Sequence, residues 1–325
     1  MGKIGEMSEG FVVVDGSPTI SVVLVVKDEE SIAQSLTELR PQLEQFGAPC
    51  IVVDASQGRL QHIEREFDWV TWIEFDQPLG RRYTISHQRN IGVRASTTNL
   101  VAFCDAGGRP GSDWLLHLLD ACGKAEVVCG PVLSLDQPPR PAVNLIEDDT
   151  PVYLVCSANM ALHRSAFDKI GGFNEALDHA EDIDFGWRVL EAGFKVEPVP
   201  AAIMYMRWGD YKEQRRRNYR YGRSMPILWA EHPNRVFEYW RRYPDSIFYS
   251  SWIVVAPLAA LLCLVSPLFP SAWLALLIIP IAKNRRSQRP FENLISKLTY
   301  GWGSIRTIPR ALGVLLGLRP NRHGR

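Results

Sequence analysis

The run TISVVLVV, from Thr19 to Val26, is β-branched and apolar without polar alternation. A strand of that kind has no face to give to water, so it belongs in a sheet covered by helices on both sides. The segment after it changes period. From Glu29 to Phe46 the apolar positions Ile32, Leu36, Leu39 and Leu43 recur every three or four residues, and Gly47 and Pro49 end the helix. The alternation then repeats: Cys50 to Val53 is a buried strand stopping at Asp54, and a third strand fits Trp69 to Phe75. A helix fits Ser86 to Ala95, and Leu100 to Cys104 is a fourth strand ending at Asp105. Such a succession predicts an α/β fold with a doubly wound, mostly parallel sheet and right-handed crossovers. Beyond Ser112 the pattern loosens, with a strand near Val127 to Leu135 and a polar, Pro-rich loop from Asp136 to Pro151. A helix from Ile183 to Ala192 closed by Gly193 and a strand from Val196 to Val199 follow.

The chain holds 36 Lys+Arg and 36 Asp+Glu, but the balance hides a split. From Lys283 onward there are ten basic residues and one acid, which leaves 26 basic and 35 acidic residues before it. Immediately ahead of this tail, Trp252 to Ala282 is 31 residues without a charge, more than the roughly 20 that span a bilayer as a helix. Pro257, Pro267, Pro270 and Pro280 interrupt it, and both flanks are basic, with Arg241 and Arg242 before and Lys283, Arg285, Arg286 and Arg289 after. The positive-inside rule places both ends on the cytoplasmic side, which favours a broken or re-entrant hairpin at the cell membrane over a single crossing. A buried helix pair in a soluble core is the alternative. Past the run, Ile305, Ile308, Leu312, Leu315 and Leu316 alternate with Arg306, Arg310 and Arg319 as an amphipathic helix lying among lipid headgroups would. The expected division is an extension over 1–18, a catalytic body over 19–240, a hydrophobic attachment segment over 241–290 and a basic amphipathic tail over 291–325. Six cysteines without a CxxC read as reduced thiols, and the first residues lack the apolar core of a signal peptide, so the body is expected in the cytoplasm.

In a doubly wound sheet, ligands bind beyond the carboxyl ends of the strands, which is where Asp28, Asp54 and Asp105 fall. A dinucleotide fold would show a GxGxxG turn after its first strand, and VVLVVKDEES has no glycine. The basic tail lacks the aromatic interleaving of a nucleic-acid module, so no nucleic-acid partner is expected.

Six segments, SVVLVVKDEES, IVVDAS, RNIGVRAS, FCDAGGRPGSDWL, SANMALHRSAFDKIGGFNE and AEDIDFGWRVLEAGF, stand in an order that resembles family 2 glycosyltransferases, from about Ser21 to Arg223. The resemblance implies a GT-A fold, a nucleotide-diphosphate sugar donor, UDP-linked, and inversion at the anomeric carbon. It implies a nucleoside site at Val26, Lys27, Asp28 and Glu29, with Asp54 hydrogen-bonding the base. Arg89 and Asn90 match the family's Arg-Asn pair, with Arg89 serving base or diphosphate or else forming a plain ion pair. Asp105 matches the first carboxylate of an Asp-x-Asp motif and is the candidate ligand for Mg²⁺ or Mn²⁺. Glu181 and Asp182 match the Glu-Asp pair, with Asp182 as the base that takes the acceptor's proton, and Trp187 and Arg188 shape an acceptor or sugar pocket.

Two departures bear on the metal. The second position of the Asp-x-Asp motif is Gly107, and Met206 stands where the family often has His. Asp105, water and the donor phosphates are then the ligands left for an ion. The segment QRRRN partly resembles a Gln-x-x-Arg-Trp motif, but Asn218 replaces the Trp, which argues against polymerisation; Arg215, Arg216 and Arg217 are candidates for diphosphate or for anionic lipid. The expected function is an inverting transfer of a sugar to a hydroxyl on a lipid-linked or cell-envelope glycan, with membrane lipids as a further partner. The alternative is a catalytically silent nucleotide-sugar-binding membrane protein.

Overall fold

A computed structural model describes residues 20–76, 84–136, 155–177, 179–242 and 290–318, with parts of 248–275. Almost all of the loop expected from Asp136 to Pro151 lies outside the described residues. The chain divides into two compact units: one runs to Glu175 and resumes over Glu181–Arg207, and the other joins Ala176–Ala180 to Trp208–Arg325.

In the first unit, β1 (Ile20–Val26) leads to α1 (Ile32–Phe46), β2 (Cys50–Asp54), the short α2 (Gln61–Glu66), β3 (Thr71–Glu74), α3 (Ile85–Ala95) and β4 (Leu100–Asp105). These strands pair in parallel in the order β3-β2-β1-β4, with Val26 opposite Asp54 and Val25 opposite Asp105. All seven residues of β1 are buried, as the unbroken apolar run predicts. The register aligns three strand ends on one edge, which gathers residues distant in sequence at a common mouth.

The second half of this unit departs from a plain succession. After β5 (Arg109–Pro110) and α4 (Trp114–Cys122) come β6 (Val127–Cys129) and β7 (Val132–Ser134) in place of one long strand. The break falls at Gly130 and Pro131, where Pro131 lacks an N–H for a ladder. A Cβ on Gly130 would sit 1.9 Å from the Ala202 carbonyl oxygen, so only glycine fits the bend. Next, β8 (Asn159–His163) enters the large sheet antiparallel between β4 and β6, and it had no counterpart in the sequence reading. After α5 (Arg164–Ile170) and α6 (Glu181–Glu191), β9 (Val196–Pro198) pairs in parallel with β6. A three-stranded sheet, β5-β10-β7, is completed by β10 (Met204–Met206). The architecture is mixed α/β around a largely parallel sheet, whose core includes Val23, Phe103, Met160, Phe173 and Phe185.

The second unit is helical. Asp210 caps α7 (Tyr211–Glu231) through a reciprocal box with Glu213, and α8 (Val236–Arg242), α9 (Leu268–Ala275), α10 (Pro290–Ile305) and α11 (Ile308–Leu315) follow. The expected boundary at residue 240 therefore moves to Arg207, because α7 packs with α10 and α11. Asn218, the departure noted in QRRRN, donates to the hydroxyl of Ser296 at 2.7 Å and so fastens α7 to α10. Among the described residues no helix is long and apolar enough to cross a membrane, and much of the uncharged run lies outside them.

Two glycines set how closely α7 and α10 approach. A Cβ on Gly222 would lie 1.9 Å from the Tyr300 carbonyl oxygen, and one on Gly303 would lie 2.3 Å from that of Tyr219. Backbone on both sides leaves no flexible side chain to move away. We expect Gly222→Val to cost on the order of 1–3 kcal/mol through forced separation of the helices, read as a lower melting temperature. An unchanged melting temperature would show that the two helices part without cost.

Candidate active site

The site forms where β4 ends and α6 begins. Asp105 closes β4, Glu181 and Asp182 open α6, and between them stands Arg89 of α3. The Arg89 side chain is 2% exposed. Its Nη1 donates to Glu181 Oε1 at 2.5 Å and its Nη2 to Asp105 Oδ1 at 2.8 Å, and the guanidinium lies 5.7 Å from the centre of the Phe173 ring. A planar fork suits this bridge, because two separate N–H groups reach two separate carboxylates. Of the two readings left open for Arg89, a ligand group or an ion pair, the structure shows the ion pair: both Nη groups are committed to carboxylates, and the side chain has no open surface.

Asp182 is held by backbone. Its Oδ1 accepts the N–H of Ile183 at 2.9 Å, and the carboxylate also accepts the N–H of Ser157. It stands in the first turn of α6, where the helix dipole favours negative charge. Glu181 is 8% exposed in its side chain. Burial, followed by repulsion from Asp182, raises its pKa to about 7 against the opposing pull of Arg89. Burial likewise raises Asp182, with Arg89 and the two backbone donors acting the other way. Three carboxylates thus share one buried guanidinium, so the cluster keeps a negative balance and repels a diphosphate unless a cation comes between them.

The residues around this centre position it. Asn90 does not face a ligand: its Nδ2 donates to the Phe173 carbonyl at 3.0 Å and to Glu175 Oε1 at 2.9 Å, while its Oδ1 accepts the Phe173 N–H at 2.8 Å. It fastens α3 to the Gly-Gly-Phe turn. Trp187 is fully buried, and Arg188 is bound to Asp184 Oδ2 at 2.6 Å and to the Ile170 carbonyl at 2.9 Å. Neither therefore lines an acceptor pocket in this structure, since the apolar side of α6 turns Trp187 into the core.

At the other strand ends, Asp54 is 3% exposed. Its Oδ1 accepts the Ser56 N–H at 2.7 Å and its Oδ2 the Trp72 indole N–H at 3.3 Å, which shapes the turn after β2. Lys27, Asp28 and Glu29 are exposed. Asp28 has φ +57°, its N–H donates to Ser56 Oγ at 2.8 Å, and its carboxylate pairs with Arg59 Nε at 2.6 Å. Two contributors were missed in the sequence. Arg59 lies in a turn without motif, and Gln88 donates from one amide to the carbonyls of Val26 and Val53, tying the ends of β1 and β2. An amide preceding an Arg-Asn pair was the available signal.

Asp105 has a 27% exposed side chain with Oδ1 held by Arg89. Gly107 has φ +81°, its N–H donates to Ser35 Oγ at 2.9 Å, and a Cβ there would meet Ser31 Oγ at 2.7 Å. The backbone itself therefore opposes a second Asp. Met206 lies on β10, and among the described residues no group of three His, Cys, Asp or Glu is placed to hold a metal.

The model of glycosyl transferase family group 2 matches residues 149–283. Over that segment the chain is similar to family 2 glycosyltransferases. Pre-mycofactocin glycosyltransferases of two Mycobacterium tuberculosis strains, CDC 1551 / Oshkosh and ATCC 25618 / H37Rv, are each 31% identical to it over 169 residues, or 46% of this chain. The match spans 35% of the length of those relatives. Among solved structures, a mannosyltransferase from Pyrobaculum calidifontis, in complex with GDP-Man and Mn2+, is similar at TM-score 0.63 with 14% identity. That likeness covers 91% of this chain and 90% of the mannosyltransferase, and supports the GT-A fold expected of the glycosyltransferase domain.

The elevated Glu181 gives this domain a pH signature. Burial moves the native carboxyl's pKa up to about 7, while the unfolded one releases its proton near 4.5, so its contribution to stability is complete below the lower value. That contribution is lost as pH rises through the higher one. Glu181→Gln removes the titration and keeps an acceptor for Arg89. We expect the wild-type melting temperature to fall, relative to the variant, across that window. Parallel curves for the two proteins would show that Glu181 titrates as it does in water.

Proposed function

We propose that this chain is an inverting glycosyltransferase that moves a sugar from a nucleotide-diphosphate sugar to an acceptor hydroxyl. The observation that carries the proposal is Asp182, a carboxylate fixed by two backbone N–H groups at the start of α6, raised in proton affinity by burial, and next to a second carboxylate. Inversion in one displacement needs a base opposite the leaving group, and an oriented carboxylate of raised pKa suits that task. The acceptor oxygen attacks the anomeric carbon, the bond from that carbon to the diphosphate oxygen breaks, and the acceptor proton passes to Asp182. Arg89 keeps Glu181 in place beside the base, and Asp105 is fixed by the same guanidinium on the donor side. A silent binding protein has no use for a carboxylate so arranged.

The nucleoside side of the site is the exposed group of Lys27, Asp28 and Glu29 with Arg59 near the turn shaped by Asp54. A UDP-linked donor remains the proposal from sequence, beside the GDP-mannose of the archaeal mannosyltransferase; thermal stabilisation by UDP- and GDP-sugars distinguishes them. The acceptor is proposed to be a lipid-linked or cell-envelope glycan, consistent with the uncharged run and basic tail. Arg215 and Arg216, which the sequence offers as candidates for the leaving diphosphate or for anionic lipid, are both exposed on α7. Arg217 is partly engaged, stacking 5.0 Å from the Trp208 ring centre and donating to the Trp208 carbonyl at 3.1 Å. The described residues do not by themselves form a metal site. An ion present would rest on Asp105, water and the donor's phosphates.

Two measurements test this. Asp182→Asn keeps the shape and removes the proton acceptor, so transfer should fall by about 10² to 10⁴ while calorimetry shows donor affinity little changed; near-normal turnover removes Asp182 from the base role. In chelator, transfer is expected to fall only modestly, whereas neutralising Arg215 and Arg216 together is expected to be severe. Complete loss in chelator, restored by Mg²⁺ or Mn²⁺, would return the diphosphate to metal catalysis.

A further inference from the structure

Among the described residues, the large apolar side chains that stand exposed all belong to the second unit, from Phe237 to Leu318. Several lie between two tryptophans that meet. Trp252 and Trp273, 21 positions apart, stack with ring centres 4.0 Å apart and planes within 6°. Each indole N–H donates to the other residue's carbonyl, at 3.0 and 3.2 Å. The chain therefore doubles back and is fastened at the base of the loop. The Leu264 and Ser266 N–H groups close onto Leu261 and Leu262, which marks a helix ending, and the Leu268 N–H donates to Ser266 Oγ as α9 begins. Around this turn Leu261, Leu264 and Leu268 are 63, 87 and 76% exposed. An apolar tip so uncovered costs free energy in water.

We propose that the turn fastened by Trp252 and Trp273, with Leu261, Leu264 and Leu268 exposed on it, dips into one leaflet of an anionic bilayer without crossing it. The inference is independent of the donor chemistry. The clasp satisfies both indole N–H groups within the protein, and Trp is the residue favoured at headgroup level. Charge selects the occupant. Arg241 and Arg242 precede the turn and Lys283, Arg285, Arg286 and Arg289 follow it, so both ends attract acidic headgroups. A second copy packed on the same face in a symmetric dimer would instead bring these cationic flanks together.

The test uses the full chain and vesicles of phosphatidylcholine, with or without a minority of phosphatidylglycerol. Flotation should be strongest with the anionic lipid, and the doubly substituted Leu264→Lys, Leu268→Lys protein should bind at least about 100-fold more weakly. Both substituted positions are exposed, and an unchanged melting temperature confirms that the fold survives. On bound protein, trypsin added outside should cut at Arg241 or Arg242 and also at Lys283 or Arg285, because both flanks remain on one side. Protection of one flank would mean a full crossing and overturn the proposal. Equal binding by the Lys variant would overturn it as well, as would a full-length protein that stays off vesicles and sediments as a dimer.

Discussion

One buried guanidinium holds the active site together. Arg89 comes from a helix that packs on β1 and β2, yet its two Nη groups reach the end of β4 and the start of α6, which lie 16 and 92 positions further along. Removing such a charge leaves uncompensated carboxylates in a buried setting, and breaking a buried pair by deleting one partner costs about 3–5 kcal/mol. The bridge also joins function to fold. Asp105 sits on the donor edge of the sheet and Glu181 adjoins the proposed base, so one side chain fixes the separation between the two halves of the chemistry.

The positions around Arg89 follow from that demand. Asn90, the next residue, clamps the Gly-Gly-Phe turn through three hydrogen bonds, and Phe173 of that turn supplies the ring beside the guanidinium. Gln88, the residue before, ties the ends of β1 and β2. Three consecutive polar residues of one helix are thus spent on positioning. On α6, Asp184 is fully buried and satisfied by Arg188, and Trp187 fills the core, so the helix that presents the base is rigid along its length. Rigid support suits a carboxylate that has to point at one hydroxyl.

Much of this was legible in the chain. The apolar runs of β1, β2 and β4, and the carboxylates that end the latter two, were readable because a strand buried on both faces has an unmistakable composition. The pairing of Glu181 and Asp182 was readable from motif. The second half of the sheet was less so. Asn159–His163 is short, polar at both ends and antiparallel, and its first residue, Asn159, receives the Trp114 indole N–H and donates to the carbonyls of Pro131 and Ala202. No local pattern announces such a hub. Arg89 was recognised with its role left open between ligand group and ion pair, because a sequence places an arginine on a helix without telling which side of the helix is closed. The same limit explains Trp187 and Arg188, taken from sequence as pocket residues and found packed and paired. Gly107 was read as a lost ligand; its positive φ and its nearness to Ser31 Oγ show a turn that selects glycine on its own account.

The proposed chemistry is a single displacement at the anomeric carbon with Asp182 receiving the acceptor proton. The configuration of the product tests it most directly. With an α-linked nucleotide sugar that stabilises the protein and an acceptor that it glycosylates, proton NMR of the first product formed should show the β-anomer. An α-linked product would mean retention, a mechanism that a lone base opposite the leaving group cannot provide, and would contradict the role given to Asp182.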